Sequence, residues 1–190
     1  MKELNFDKNF YPMILAIKDY AEQVKKSGAA NHVGVMIERD NGYNFAYDFD
    51  AFPDGVNDGY NYKMAERIIK TVLWVCGGYK IIVSGSKKIY KYIKNAYTAK
   101  GIRAFDVDFM QTVYEKPFTV EYADVLPEKK YEHKNVGGFT DGCRIGFDAG
   151  GSDRKVSAVI DGKVVYSEEV VWNPKTTEDP HYHYDGILTA

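Results

Sequence analysis

The residues with the clearest chemical potential lie at Asp148-Ala149-Gly150-Gly151-Ser152, at the end of an apolar-alternating run that begins at Arg144. Glycines let a backbone approach a polyphosphate without a Cβ clash and can turn their N–H groups toward oxygen anions. The Ser152 hydroxyl adds a donor. An acid closing the strand, here Asp148, can order Mg²⁺ through water, because Mg²⁺ favours oxygen ligands and keeps part of its hydration shell. Lys155, at the start of the next run, can lie near the phosphates. The spacing therefore predicts a phosphate-binding hairpin.

Three strands must position it, over 144–149, 155–161 and 163–172, turning at Ser152-Asp153 and at Asp161-Gly162. Asp-Gly between alternating runs is a strong hairpin signal because both residues tolerate positive φ. Pro174 and Pro180 punctuate the exit, and the last residues read as the start of a helix.

Asp148, Gly150, Gly151, Ser152, the small residue Ala158, and Asp161-Gly162 together resemble the first phosphate motif of the actin-like ATPase superfamily. More narrowly they resemble the ROK group of bacterial glucokinases, N-acetyl-hexosamine kinases and sugar-responsive repressors. The resemblance covers about a quarter of the chain, from roughly Gly138 to Ala190. It implies ATP and Mg²⁺ as cofactors, with Asp148 serving the metal through water. Gly150, Gly151 and Ser152 would hold the phosphates, with Lys155 assisting. A nucleotide and a sugar are the implied partners, with a homo-oligomer possible. The sugar-activating aspartate is expected beyond Ala190, so the catalytic residues are unknown, and these residues alone are expected to be inactive. One departure stands out. ROK kinases commonly carry Lys directly after the hydroxyl residue, whereas this chain has Asp153, with cations following at Arg154 and Lys155. A carboxylate beside a triphosphate is repelled, so either Asp153 points away or nucleotide binding is weakened. The alternative function is a sugar-sensing or interaction protein that keeps the hairpin without the chemistry.

Upstream, the chain reads as a mixed α/β domain over 1–122, a polar linker over 123–143, and the start of the ATPase domain over 144–190. The expected fold class is α/β, ending in the first three-stranded antiparallel meander of a ribonuclease H-like lobe, truncated. Phe10, Ile14, Ile17, Ala21 and Val24 recur at helical spacing before Ser27-Gly28. Val33, Val35 and Ile37 form one arm of a hairpin that turns at Asn41-Gly42, and Tyr43, Phe45, Tyr47 and Phe49 share a face of the other. Met64, Ile68, Val72 and Val75 mark a second helix, closed by Gly77-Gly78. Ile81-Ile82-Val83 is a buried strand, and Ser84-Gly85-Ser86 leads into a helix with Ile89, Ile93 and Ala96 inside. Strands near 102–105 and 118–122 flank a short helix over 107–114.

Other groups have plainer readings. Ser86 caps its helix while Lys87 and Lys88 are solvated. Asp106 and Asp108 cap the short helix, His181 and His183 sit exposed at a helix start, and Asp48, Asp50, Asp54 and Asp58 lie in a solvated acidic loop. The third function considered is an independent ligand-binding module with a pocket near Ser84 to Lys87.

Composition excludes whole classes. The hydrophobic fraction of 45% against 27% charged residues is that of a folded soluble domain. A net charge of −2 gives no electrostatic basis for binding nucleic acid or an anionic membrane. No apolar stretch approaches the ~20 residues of a membrane span, and the opening residues carry no apolar leader core. Two cysteines, Cys76 and Cys143, fit reduced thiols, so a cytoplasmic location is expected.

Overall fold

A computed structural model of the chain describes residues 10–131 and 137–190. The chain divides into two units, Met1–Glu132 and His133–Ala190. The leader reading at residues 1–9 and the middle of the polar stretch, 132–136, lie outside the described residues. The fold class is mixed α/β with two separate sheets.

In the first unit, α1 (Met13–Lys26) ends where the Ser27 hydroxyl donates to the Val24 carbonyl and Gly28 takes φ +79°. Its buried stripe is Ala16, Tyr20 and Val24, while Phe10 and Ile14 of the expected stripe are exposed. Tyr20 wins the inner position because its hydroxyl has a partner there: it donates to Asn61 Oδ1 at 2.6 Å. Its ring also meets Phe52 and Tyr60 edge-on, an arrangement favoured by the ring quadrupole. The buried Asn61 accepts from the Phe52 N–H and donates to the Phe52 carbonyl as well, so it ties α1 to the loop leaving the sheet.

Strands β1 (Asn31–Glu38) and β2 (Asn44–Ala51) form the expected hairpin, with Asn41 and Gly42 both at positive φ in the turn. Helix α2 (Asp58–Cys76) buries Met64, Ala65, Ile68, Ile69 and Leu73 and leaves Val75 outside, because the stripe continues from Ile69 to Leu73. Strand β3 (Lys80–Ser84) is followed by α3 (Lys87–Ala96), whose inner residues Ile89, Ile93 and Ala96 are those expected. The expected strand at 102–105 is absent. Gly101 to Arg103 make a tight reversal, and α4 (Ala104–Tyr114) begins at once. Ile102 and Phe105 are exposed there, so their strand-like character finds no sheet to join. Strand β4 (Thr119–Tyr122) completes the sheet.

The strand order is β2-β1-β3-β4, with β1 antiparallel to both neighbours and β3 parallel to β4. Val33, Val35, Ile37, Ile81, Val83 and Val120 lie in the hydrophobic core that the helices cover. Each such fully buried side chain contributes about 1.5–3 kcal/mol relative to exposure. On the opposite face Leu126 packs against Gly34, where a Cβ would come within 2.8 Å of it. Asn44 is bonded to the Lys130 backbone on both sides, its N–H donating at 2.9 Å and its Oδ1 accepting at 3.0 Å. The polar stretch is thus tied to this unit as far as Lys130.

The second unit is a meander. Strands β5 (Cys143–Ala149), β6 (Asp153–Ile160) and β7 (Lys163–Val171) pair antiparallel in the order β5-β6-β7. Asp161 and Gly162, both at positive φ, make the β6–β7 turn. A 3-10 turn (Pro174–Thr176) leads to α5 (Pro180–Leu188), capped by Asp179, whose carboxylate accepts from the His181 N–H. Among the described residues no helix is long and apolar enough to cross a membrane.

Candidate functional site

The β5–β6 connection is shorter than the sequence suggests. Asp153 already belongs to β6, where it pairs with Val171 of β7, so Gly150, Gly151 and Ser152 alone lie between the strands and form the tip. Gly150 is required by close approach: a Cβ would overlap the Asp153 carbonyl and lie 3.0 Å from Asp153 Oδ1. Trp172, just after β7 and buried, fastens the tip twice. Its indole Nε1–H donates to the Gly150 carbonyl at 2.7 Å, and its backbone N–H donates to the Ser152 carbonyl at 3.2 Å.

Helix α5 supports Trp172 in turn. The Tyr182 ring stacks near it, the Tyr182 hydroxyl accepts from the Asn173 N–H, and the His183 ring meets it edge-on. Gly186 lets the helix come close, since a Cβ there would fall 2.7 Å from the indole ring. Replacing Trp172 with Phe is expected to cost about 1 kcal/mol, the net worth of one hydrogen bond. It should also speed amide exchange at Gly151 and Ser152. Thermal melts and hydrogen exchange by NMR check both effects, and unchanged exchange at the tip would show that Trp172 does not fix it.

The charged groups sort into three roles. Asp148, at the end of β5, is exposed and makes no hydrogen bond or ion pair with a described residue. It faces Lys155 across the ladder, and Lys155 in turn faces Glu169 on β7. Lys155 donates to Asp153 Oδ1 at 2.6 Å and lies 3.7 Å from Glu169. The Asp153 hydrogen bond holds the Lys155 ammonium above the ordinary lysine range, with the fields of Asp153, Glu169 and Asp148 adding and desolvation opposing. The carboxylate that departs from the expected lysine is therefore paired with the neighbouring cation. Arg154 is buried and structural: it donates to the Thr189 hydroxyl at 3.2 Å and lies 3.9 Å from Glu168.

A different cation reaches the tip. The Lys175 side chain occupies the space beside Gly151, its Nζ 2.7 Å from where a Cβ would stand. The 3-10 turn that carries it is held by Pro174, by the Thr176 and Thr177 hydroxyls donating to the Asn173 carbonyl, and by His183 Nε2 at 3.1 Å from the Pro174 carbonyl. Local sequence gives no signal for Lys175, because it belongs to a separate turn downstream. The tip thus combines two glycines, a hydroxyl and an ammonium, while Asp148 stands two residues before it on the ladder face that carries Lys155.

The remaining candidates fall elsewhere. Ser86 does cap α3, accepting from the Ile89 N–H, and its hydroxyl donates to Asp54 at 2.6 Å. Lys88 is held by Asp58 at 2.7 Å, and Lys87 lies over the Tyr122 ring. The Lys88 hydrogen bond keeps the Asp58 carboxyl below its usual range, helped by the Gly55 N–H. Asp48 and Asp50 belong to β2 and flank His32, and Asp58 opens α2, so the four acids do not share one loop. His32, Ser84 and Gly85 line a cavity of about 380 Å³ on the first unit. Asp106 is buried in the first turn of α4 while Asp108 is exposed, so the two carboxylates do not converge. Among the described residues no three His, Cys, Asp or Glu side chains are grouped to hold a metal, His181 and His183 included. Both cysteines are free.

No protein-family model, curated protein or solved structure matches the chain.

Proposed function

We propose that the second unit carries the first phosphate-binding hairpin of a ROK-type, ATP-dependent sugar kinase. The observation that carries this reading is the tip, where Trp172 fixes the Gly150-Gly151-Ser152 turn and the Lys175 ammonium lies beside Gly151, next to a strand end at Asp148 that makes no hydrogen bond or ion pair with a described residue. Gly150, Gly151 and Ser152 would hold the nucleotide phosphates with Lys175. Asp148 would hold Mg²⁺ through water. Lys155 would act indirectly, by neutralising Asp153. When bound, Mg²⁺ and ATP supply the phosphoryl group and spread its charge, and the chain's own residues contribute positioning and charge stabilisation. In this reading the sugar-activating carboxylate belongs to a segment of the parent protein that follows the hairpin.

A second reading, a sugar-sensing or interaction protein that keeps the hairpin without the chemistry, is favoured by the Asp153–Lys155 pair, which takes one cation out of play.

The Trp172 indole N–H reports on the tip directly. With ¹⁵N labelling, Mg·ATP is expected to shift the Trp172 indole resonance while leaving that of Trp74 in place, and AMP should shift neither. An unmoved Trp172 signal at millimolar Mg·ATP sinks phosphate binding at the hairpin. Binding without turnover in the parent protein selects the second reading.

A further inference from the structure

The first unit gathers large apolar side chains on a surface that its core does not use. Trp74, Phe105 and Phe109 are 41%, 70% and 42% exposed, with Ile102, Val75 and Val113 also exposed on the same two helices and the turn before α4. The three rings stack on one another, with centroids 6.2 Å apart for Trp74–Phe105, 5.1 Å for Trp74–Phe109 and 6.0 Å for Phe105–Phe109. At these exposures the rings alone leave about 300 Å² open, given the area such side chains present. Patches of that size on a single chain are often functional.

The platform is held from beneath. The Trp74 Nε1–H donates to Asp106 Oδ1 at 2.6 Å. Asp106 Oδ2 lies 3.7 Å from Arg103, which also holds the buried Glu66. A buried charge network thus orients an exposed indole, so little side-chain freedom is lost when the surface is covered.

Helix geometry and charge indicate what covers it. Phe105, Phe109 and Val113 recur at i, i+4 and i+8, the stripe of a helix that seats against another helix. At the margin, Arg67 and Lys70 lie seven and four residues before Trp74 on α2, and neither has an ion pair with a described residue. On α4 the matching margin residue is the exposed Asp108. A surface with cations on one side of an apolar stripe and an acid on the other complements itself under two-fold rotation. We propose that this α2–α4 face is an isologous interface between two copies of the chain, α4 packing on α4 and Lys70 of each copy meeting Asp108 of the other. The proposal does not depend on the function of the hairpin.

Sedimentation velocity over a concentration series tests it on the whole chain. The wild type is expected to pass from monomer to dimer. Phe105→Lys and Phe109→Lys should remain monomeric, and Phe105→Lys, at the most exposed ring, should match the melting temperature of the wild type at concentrations where the wild type is monomeric. Ile145→Lys, at an exposed apolar residue of the other unit, should dimerise like the wild type. Asp108→Lys should weaken the dimer about tenfold by placing like charges together, and adding Lys70→Glu should restore it. A wild type that stays monomeric at every concentration overturns the proposal. So does a folded Phe105→Lys variant that dimerises normally, loss of the dimer in Ile145→Lys, or failure of the charge swap to restore association.

Discussion

Arg103→Ala is expected to destabilise the first unit by about 3 kcal/mol, the lower end of the cost of removing one partner from a buried ion pair. Arg103 is the shared cation of two buried acids: Glu66 on α2 receives its Nε and Nη2, and Asp106 on α4 faces its Nη1. Both carboxylates are more than nine-tenths buried. Without the guanidinium, Asp106 keeps the Trp74 indole N–H, but Glu66 is left charged and uncompensated. Surface ion pairs would lose a few tenths of a kcal/mol in the same experiment, and the difference comes from desolvation. The melting temperature should fall by about 10 °C for a unit of this size. The double variant Glu66→Gln with Arg103→Met should recover much of the loss, because it removes both the stranded charge and the group that required it. A loss below about 1 kcal/mol for Arg103→Ala would mean that water reaches the network and that it behaves as a surface pair.

Partners distant in sequence decide where periodicity succeeds and where it fails. Helix α3 is legible because it offers only one apolar stripe, so Ile89, Ile93 and Ala96 have no rival. Helix α1 offers two, and the choice of Ala16, Tyr20 and Val24 over Phe10 and Ile14 depends on Asn61, which comes from another helix. The segment Ile102-Arg103-Ala104-Phe105 has strand-like residues but becomes a reversal and a helix start. Its determinant is the contact of Arg103 with Glu66, a partner distant in sequence that no local window contains. The aromatic residues on α4 are visible in the sequence, but their exposure is not, since a stacked surface cluster and a core stripe have the same spacing.

The hairpin shows the same division. Gly150, Gly151 and the Asp161-Gly162 turn are legible because backbone geometry demands those residue types locally. The pairing of Asp153 with Lys155 follows from their i, i+2 placement on one face of β6. Trp172 and Lys175 are invisible at that level. They reach the tip only because β7 returns antiparallel beside β6 and the Pro174 turn then folds back toward Gly151. The chemistry of the tip is thus written partly in the motif and partly in the path of the chain after it.

In the kinase proposed above, Asp148→Ala is expected to raise the Mg²⁺ concentration giving half-maximal phosphoryl transfer about 10–100-fold while leaving the fold intact. Its carboxylate makes no hydrogen bond or ion pair with a described residue, so removal should change stability by no more than about 0.5 kcal/mol. Lys155 keeps its hydrogen bond to Asp153 and its neighbour Glu169, so the ladder loses no structural contact. A carboxylate that orients a metal's water shell is worth about 10–100-fold in metal affinity. Asp148→Asn separates charge from shape: it keeps the side-chain volume and should show the same loss, because water around Mg²⁺ is ordered by the negative charge. Lys175→Ala gives the complementary result. Without the ammonium beside Gly151, nucleotide affinity should fall about tenfold by loss of a charge-assisted contact to phosphate, while the Mg²⁺ concentration giving half-maximal rate stays the same. Steady-state kinetics titrated separately in Mg²⁺ and ATP distinguish the two substitutions. An unchanged Mg²⁺ requirement in a folded Asp148→Ala variant would remove the metal from this strand end and, with it, the kinase assignment of the hairpin.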